Sequence, residues 1–383
     1  MRRLLVLVCL VIFVETMLYS ALVPLLPHYT HEFGLSKSAA GLLVGAYAAG
    51  TLLAAIPGGI VAARYGPRRG LLVGITIMGL ASLAFGFAGD AWTLGIARFA
   101  QGIGGSLAWA GALTWLIAAS PVARRGELLG TAIGSAIFGA LFGPVIGAFA
   151  HHVGPREVFV GLAGVAVLLG VWTLRTPGVE AERPRRGSIV RALREPEVLQ
   201  ALWLMTVPAL VFGVVGVLVP LKLDHAGWSA TAIAVAWVVS AAIEMVIAPL
   251  IGRVSDRRGR LLPLRAALGG AVVVLVAFAF AYRPVVVVPI LILSGVTFGA
   301  FWAPAMALLS DAADRIGLAQ GLAFGLMNAA WGAGNALGPA IGGALADAAG
   351  DALPFTVLAV FCLATLASLG VLGTRRVRVP ESP

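Results

Sequence analysis

Three ionisable side chains stand inside long apolar runs: Glu15, Arg98 and Glu244. A charge in hydrocarbon costs about 2.5–3.5 kcal/mol on insertion scales and is seldom found there without a partner or a task. Counted by helical rise, Glu15 and Arg98 lie at depths within about 5 Å of each other, close enough to pair. Glu244 lies about 12 Å from the nearer end of its run, and in that half of the chain the apolar runs hold no Lys or Arg beyond Arg265, at the edge of its run. A carboxylate beside a guanidinium keeps its charge, whereas an isolated one in a dry site favours its protonated form. The expected division is one carboxylate coupled to Arg98 and the other exchanging protons or meeting a cationic group. The alternative is structural: a permanent buried Glu15–Arg98 pair, with Glu244 bonded to nearby backbone.

Around these charges, Tyr19, Tyr47, Trp109, Phe138, Phe298, Trp302 and Trp331 are candidates to line a cavity for a flat, apolar or cationic small molecule. Gln101 shares a helical face with Arg98. Asn328 and Asn335, the two asparagines of the chain, are two turns apart on one face. They read either as glue between helices or as hydrogen-bonding groups for a substrate. The five histidines, His28, His31, His151, His152 and His225, fall in loops on one side, and Cys9 and Cys362 lie near opposite chain ends, so no metal, disulfide or cofactor is expected. Gly102-x-Gly104-Gly105 follows no strand and no P-loop is present, so nucleotide chemistry and an enzyme are not expected.

The elements that must position these residues follow from composition. Of 383 residues, 60% are hydrophobic and 11% charged, with mean hydropathy +0.98, which describes a polytopic membrane protein. A net charge of +10 would suit a nucleic-acid binder. However, most of the Lys and Arg residues fall in alternate loops and at the termini, the pattern that places both termini and the central loop in the cytoplasm. No nucleic acid is therefore expected. Twelve apolar blocks of helix length follow one another: 4–27, 39–62, 70–89, 91–118, 128–150, 157–174, 198–221, 231–252, 262–281, 284–309, 318–345 and 352–373. The Met-Arg-Arg start precedes a run too long for a secretory signal, so it reads as the first helix. The fold class is all-α. A charged, Pro-rich linker, 175–197, separates a bundle at 1–174 from one at 198–373, with a cytoplasmic tail at 374–383.

Two patterns recur across that linker. Gly59-(x)3-Ala63-Arg64-x-Gly66 returns as Gly252-(x)3-Asp256-Arg257-x-Gly259, followed by Arg260. Gly139-(x)3-Gly143-Pro144-x-x-Gly147 returns as Gly334-(x)3-Gly338-Pro339-x-x-Gly342. Offsets of 193 and 195 between the copies indicate a duplicated six-helix unit. Each glycine run leaves a smooth stripe against which another helix can pack closely.

These motifs, with Arg98-x-x-Gln101-Gly102-x-Gly104-Gly105 and Val23-Pro24-Leu25-Leu26-Pro27, resemble the major facilitator superfamily over essentially the whole chain, and within it the 12-helix drug:proton antiporter branch. The resemblance implies a monomeric secondary transporter of the plasma (inner) membrane. It would exchange protons for hydrophobic or cationic small molecules by alternating access amid membrane lipid. Gly252, Asp256, Arg257, Gly259 and Arg260 would form a gating loop, with Arg257 orienting Asp256. The fifth and eleventh helices, which carry the Gly139–Gly147 and Gly334–Gly342 stripes, would face helices of the opposite half along a thin, bendable seam. The family usually keeps an Asp at the first-half position held here by Ala63. A sugar, metabolite or lipid carrier, or a membrane sensor or scaffold, is the alternative.

Overall fold

The computed structural model describes residues 1–121, 124–179, 188–318 and 320–376. Among these the chain is helical throughout. The first half comprises α1 (Arg2–Ser20), α2 (Leu22–Glu32), α3 (Lys37–Tyr65), α4 (Pro67–Gly86), α5 (Ala91–Ala119), α6 (Arg125–Val153) and α7 (Pro155–Arg175). After the short α8 (Ser188–Ala192), the second half comprises α9 (Pro196–His225), α10 (Ala230–Arg258), α11 (Leu261–Phe280), α12 (Pro284–Gly299), α13 (Trp302–Arg315), α14 (Gln320–Ala349) and α15 (Ala352–Arg376). Parts of the expected linker and tail, 180–187 and 377–383, lie outside the described residues.

Eleven segments among the described residues are long and apolar enough to cross a membrane, with α1–α2 and α12–α13 each counting as one. The 30-residue α14 is less apolar because it carries Asn328, Asn335 and many glycines, and it packs between α3 and α9. Two of the expected spans are broken, at Ala21 and at Ala300–Phe301. Each break lies close to the residue four before a proline. Pro24 has no N–H for the Ser20 carbonyl, and Pro304 has none for that of Ala300, so the ladder is weakest at those points.

The fifth and eleventh spans, α6 and α14, do touch the opposite half at α10 and α3, but their glycine stripes point elsewhere. A Cβ at Gly139, Gly143 or Gly147 would run into Phe13, Met17 and Ser20, or Ala21, all in or next to α1 of the same half. A Cβ at Gly334, Gly338 or Gly342 would meet Thr206, Leu210 or Val214 in α9, again of the same half. The partner helix advances by the repeat offset, Phe13 to Thr206, Met17 to Leu210 and Ala21 to Val214. The stripes therefore hold each half together internally. Contact between halves along α3 and α14 uses other glycines: Gly41 against Pro339, Gly45 against Ala336, Gly332 against Ala48 and Leu52, and Gly343 against Lys37.

The halves are also pinned at the face opposite the chain termini. His31 Nε2 lies 2.7 Å from Asp224, and His152 Nε2 lies 2.9 Å from the Thr231 hydroxyl. Lys37 Nζ is 2.5 Å from Asp351. Asp347 accepts from the backbone N–H groups of Lys37 and Ser38 at 3.1 and 2.8 Å, so an α14 side chain caps α3. At the terminus-bearing face, the ion pairs of Arg260 with Asp256 and Asp311, and of Arg315 with Glu197, stay within the second half.

Candidate functional site

Glu15 and Arg98 do meet at one place in the first half, but not as an ion pair. Among the described residues no carboxylate lies within 4.0 Å of Arg98. Glu15 instead accepts from the Tyr47 hydroxyl at 2.7 Å and from Thr16 at 3.1 Å. The Arg98 guanidinium carbon stands 4.7 Å from the centre of the same Tyr47 ring, so this side chain lies between the two charges. Arg98 donates to the carbonyls of Leu18 and Tyr19, both at 3.0 Å, beside the break between α1 and α2. Nη1 also donates to Gln101 at 3.2 Å, while Nε is buried without a partner. Gln101 in turn donates to Ser82.

From this cluster Tyr19 reaches the second half. Tyr19 donates to Asn335 Oδ1 at 2.8 Å, and its ring packs on Tyr47 and Trp331 at 5.3 and 4.9 Å. The chain of contacts runs from Glu15 through Tyr47 and Tyr19 to Asn335. Glu244, on α10, is half-buried and finds no hydrogen bond or cation among the described residues. Its carboxyl group rests against Gly299, where a Cβ would lie 2.6 Å from Oε1. Gly105 occupies the equivalent point of the first half, and a Cβ there would lie 2.8 Å from Glu15 Oε1 and 2.7 Å from the Tyr47 hydroxyl. Both intramembrane carboxylates thus nest against the same glycine of the repeat, one reaching it from α1 and the other from α10.

Residues 8–324 match the profile of the Major Facilitator Superfamily, most of the chain. The chain belongs to that superfamily. A stretch of 173 residues is 33% identical to a probable sulfoacetate transporter, SauU, of Cupriavidus necator, covering 45% of this chain and 40% of that protein. Another match, 28% identical over 194 residues, is to probable vesicular acetylcholine transporter-B of Danio rerio, covering 48% and 39%. These matches span about 40% of the length of the curated relatives. Two solved structures share the fold at 15% identity, over 99% of this chain and 98% of theirs. They are inward-facing unoccupied and occupied forms of a bacterial homologue of the human lysosomal transporter Spinster, with TM-scores of 0.80 and 0.77. The chain is a multi-pass membrane protein of that superfamily.

Within this superfamily fold the remaining candidates divide. Tyr19, Trp331 and Asn335 gather at the cluster, and Asn328 is half-buried two turns before Asn335 on α14. Phe138 is 46% exposed and packs on Phe13 and Phe142 at 6.3 and 5.2 Å. Trp302 stacks on Phe212 at 6.3 Å. Gln101 and Phe298, by contrast, are wholly buried: one completes the Arg98 network and the other packs edge-on against Phe212 at 5.5 Å, so neither lines an open cavity. Trp109 is partly buried with Nε1 unpartnered. The gating loop differs from the superfamily expectation in one contact. Arg260, one turn on, pairs with Asp256 and also reaches Asp311 at 3.5 Å, whereas Arg257 has no carboxylate within 4.0 Å among the described residues.

Sequence reasoning missed Thr16 and the residues that pin the face opposite the termini. Thr16 stands next to Glu15, but its hydroxyl also bonds the Ile12 carbonyl, a local pattern common to any helical threonine. The histidines sit at helix ends rather than in loops, and four of them line a pocket of about 520 Å³ between the halves. Ser36 caps α3, its hydroxyl accepting from the Ala39 N–H at 3.2 Å. That Asp347 adds a second cap from the other half depends on the tertiary fold.

Proposed function

We propose that this transporter couples a proton gradient to efflux of hydrophobic or cationic small molecules, working as a monomer by alternating access. The single observation carrying the reading is the contrast between the two carboxylates at equivalent glycines. Glu15 is bonded to Tyr47 and stands beside Arg98. Glu244 has no protein partner among the described residues, so a proton or a cationic cargo is what neutralises it when the site is dry. The positive-inside pattern supports a plasma-membrane protein with both termini in the cytoplasm. On that orientation the pinned face is external, which supports reading the observed state as inward-facing. Rocking of the halves would break the His31, Lys37 and Asp347 contacts and expose the cluster to the other side.

An organic anion as cargo is a second reading, supported by the relative named for sulfoacetate and by the unpartnered Arg98 Nε. One experiment tests both: purified protein in proteoliposomes, a panel of cationic, anionic and neutral compounds, and flux measured with and without an imposed pH gradient. Saturable flux of a cationic or apolar compound, accelerated by the gradient and countered by proton movement, supports antiport. Flux of every panel member indifferent to the gradient overturns proton coupling, and flux confined to anions favours the second reading.

A further inference from the structure

The junction of α3 and α4 carries Arg64 in the last turn of α3 and Arg68 and Arg69 in the first turn of α4, and no Asp or Glu occurs anywhere from residue 33 to residue 89. Arg68 is engaged, donating to the Leu174 carbonyl. Arg64 lies over the ring of Tyr65 at 5.7 Å. Neither Arg64 nor Arg69 has a carboxylate within 4.0 Å among the described residues. Arg69 and Tyr65 stand at one end of a groove of about 600 Å³ between α3 and α4, with α5 as its floor. The rest of the groove is aliphatic: Leu53, Pro57, Val61, Val73 and Leu107. Its depth comes from α3, where small Ala54 is almost wholly buried and Gly58 brings the backbone down onto α5, its Cβ position 3.5 Å from Leu107 Cα.

We propose that this groove is a binding site for one anionic phospholipid, its phosphate held by Arg69 with help from Arg64 and one acyl chain lying along α3 past Pro57. An apolar chain gains little by leaving other chains for an aliphatic groove, because lipid tails are as apolar as leucine. Discrimination must then come from the head group. Unpaired guanidinium groups at the end of a membrane helix are matched to a phosphate, which they bind in a forked geometry. The tyrosine beside them suits the head-group level, where amphipathic rings collect. Free phosphate would use the arginines alone and leave the groove unfilled. The site does not depend on which compound is transported, or on which side of the membrane the termini lie.

The test is native mass spectrometry of the full-length protein in detergent, titrated with dioleoylphosphatidylglycerol, dioleoylphosphatidylcholine or inorganic phosphate. The expected result is preferential retention of one phosphatidylglycerol. Arg69→Gln should weaken it roughly fivefold, the share of one arginine near a phosphate surface, and leave phosphatidylcholine unchanged. Val73→Trp, which fills the groove at an exposed position, should weaken both lipids while leaving both arginines in place. Inorganic phosphate should not displace the lipid. Equal retention of the two lipids, an unchanged preference in Arg69→Gln, or full displacement by phosphate would overturn the proposal. Monodisperse elution and a wild-type melting temperature establish that each variant is folded, and Arg69→Glu serves as the second head-group variant.

Discussion

Tyr19 and Asn335 face each other across the junction of the two halves, the Tyr19 hydroxyl donating to Asn335 Oδ1 at 2.8 Å. A neutral hydrogen bond of this kind contributes about 1 kcal/mol net, or roughly a fivefold change in an equilibrium between two states. Tyr19→Phe keeps the ring contacts with Tyr47 and Trp331 and removes only the bond. It should shift the protein by that factor away from the observed state, measured as faster labelling of single cysteines at the face carrying His31.

Tyr47 separates two functions that one substitution can dissect. Tyr47→Phe removes the hydrogen bond to Glu15 but leaves a ring beneath Arg98, whereas Tyr47→Leu removes both. The phenylalanine variant should alter the pH dependence of transport with little loss of stability. The leucine variant should in addition lower the melting temperature. Identical pH profiles for wild type and Tyr47→Phe would exclude Tyr47 from the proton path.

Glu244→Gln keeps the shape of the group against Gly299 and removes its ability to ionise. Gradient-driven uptake in proteoliposomes should be lost while downhill exchange of substrate continues. Glu15→Gln should impair both, because the carboxylate there also holds Tyr47. Wild-type pH-dependent transport in both variants would remove the coupling role assigned to these residues.

Gly143 lies where any side chain would meet Ser20 and the Met17 carbonyl. Gly143→Leu should abolish transport and lower thermal stability, since overpacking costs about 1–3 kcal/mol even where neighbours can adjust. Gly143→Ala should be milder and should be partly rescued by Ser20→Gly, which removes the hydroxyl in its way. Thermal melting in detergent reads both, and failure of the rescue would place the critical contact on the backbone instead.

Asp347 caps α3 from the other half, so its removal acts on one state of the cycle. Asp347→Ala should cost about 0.5–2 kcal/mol of the pinned state, a typical cap contribution. Labelling at the face opposite the termini should rise accordingly, while Asp256→Asn, whose ion pair is confined to the second half, should leave that labelling unchanged.

Much of this architecture was legible in the sequence because apolar length and period are local quantities. The twelve blocks and the two recurring motifs required no knowledge of neighbours. Depth was legible too, which is why Glu15 and Arg98 were placed together. Depth does not fix direction around a helix axis, and the Tyr47 ring takes the space in which a direct pair would form. The glycine stripes show the same limit: their spacing announces a close helix partner but carries no label for which helix it is. The breaks at Ala21 and Ala300–Phe301 were within reach, since Pro24 and Pro304 were in view. The membrane setting, in which most prolines here leave a helix continuous, hid which two would interrupt it.

The seam between α3 and α14 sets backbone against backbone at Gly41, Gly45, Gly332 and Gly343, with no side chain interposed to yield. A methyl group added at any of these points acts as a shim of known thickness at a known depth. Because the four positions are spread from the pinned face toward the middle of the molecule, alanine substituted at each in turn forms a ruler. The depth at which a shim ceases to bias the two states marks the pivot about which the halves turn.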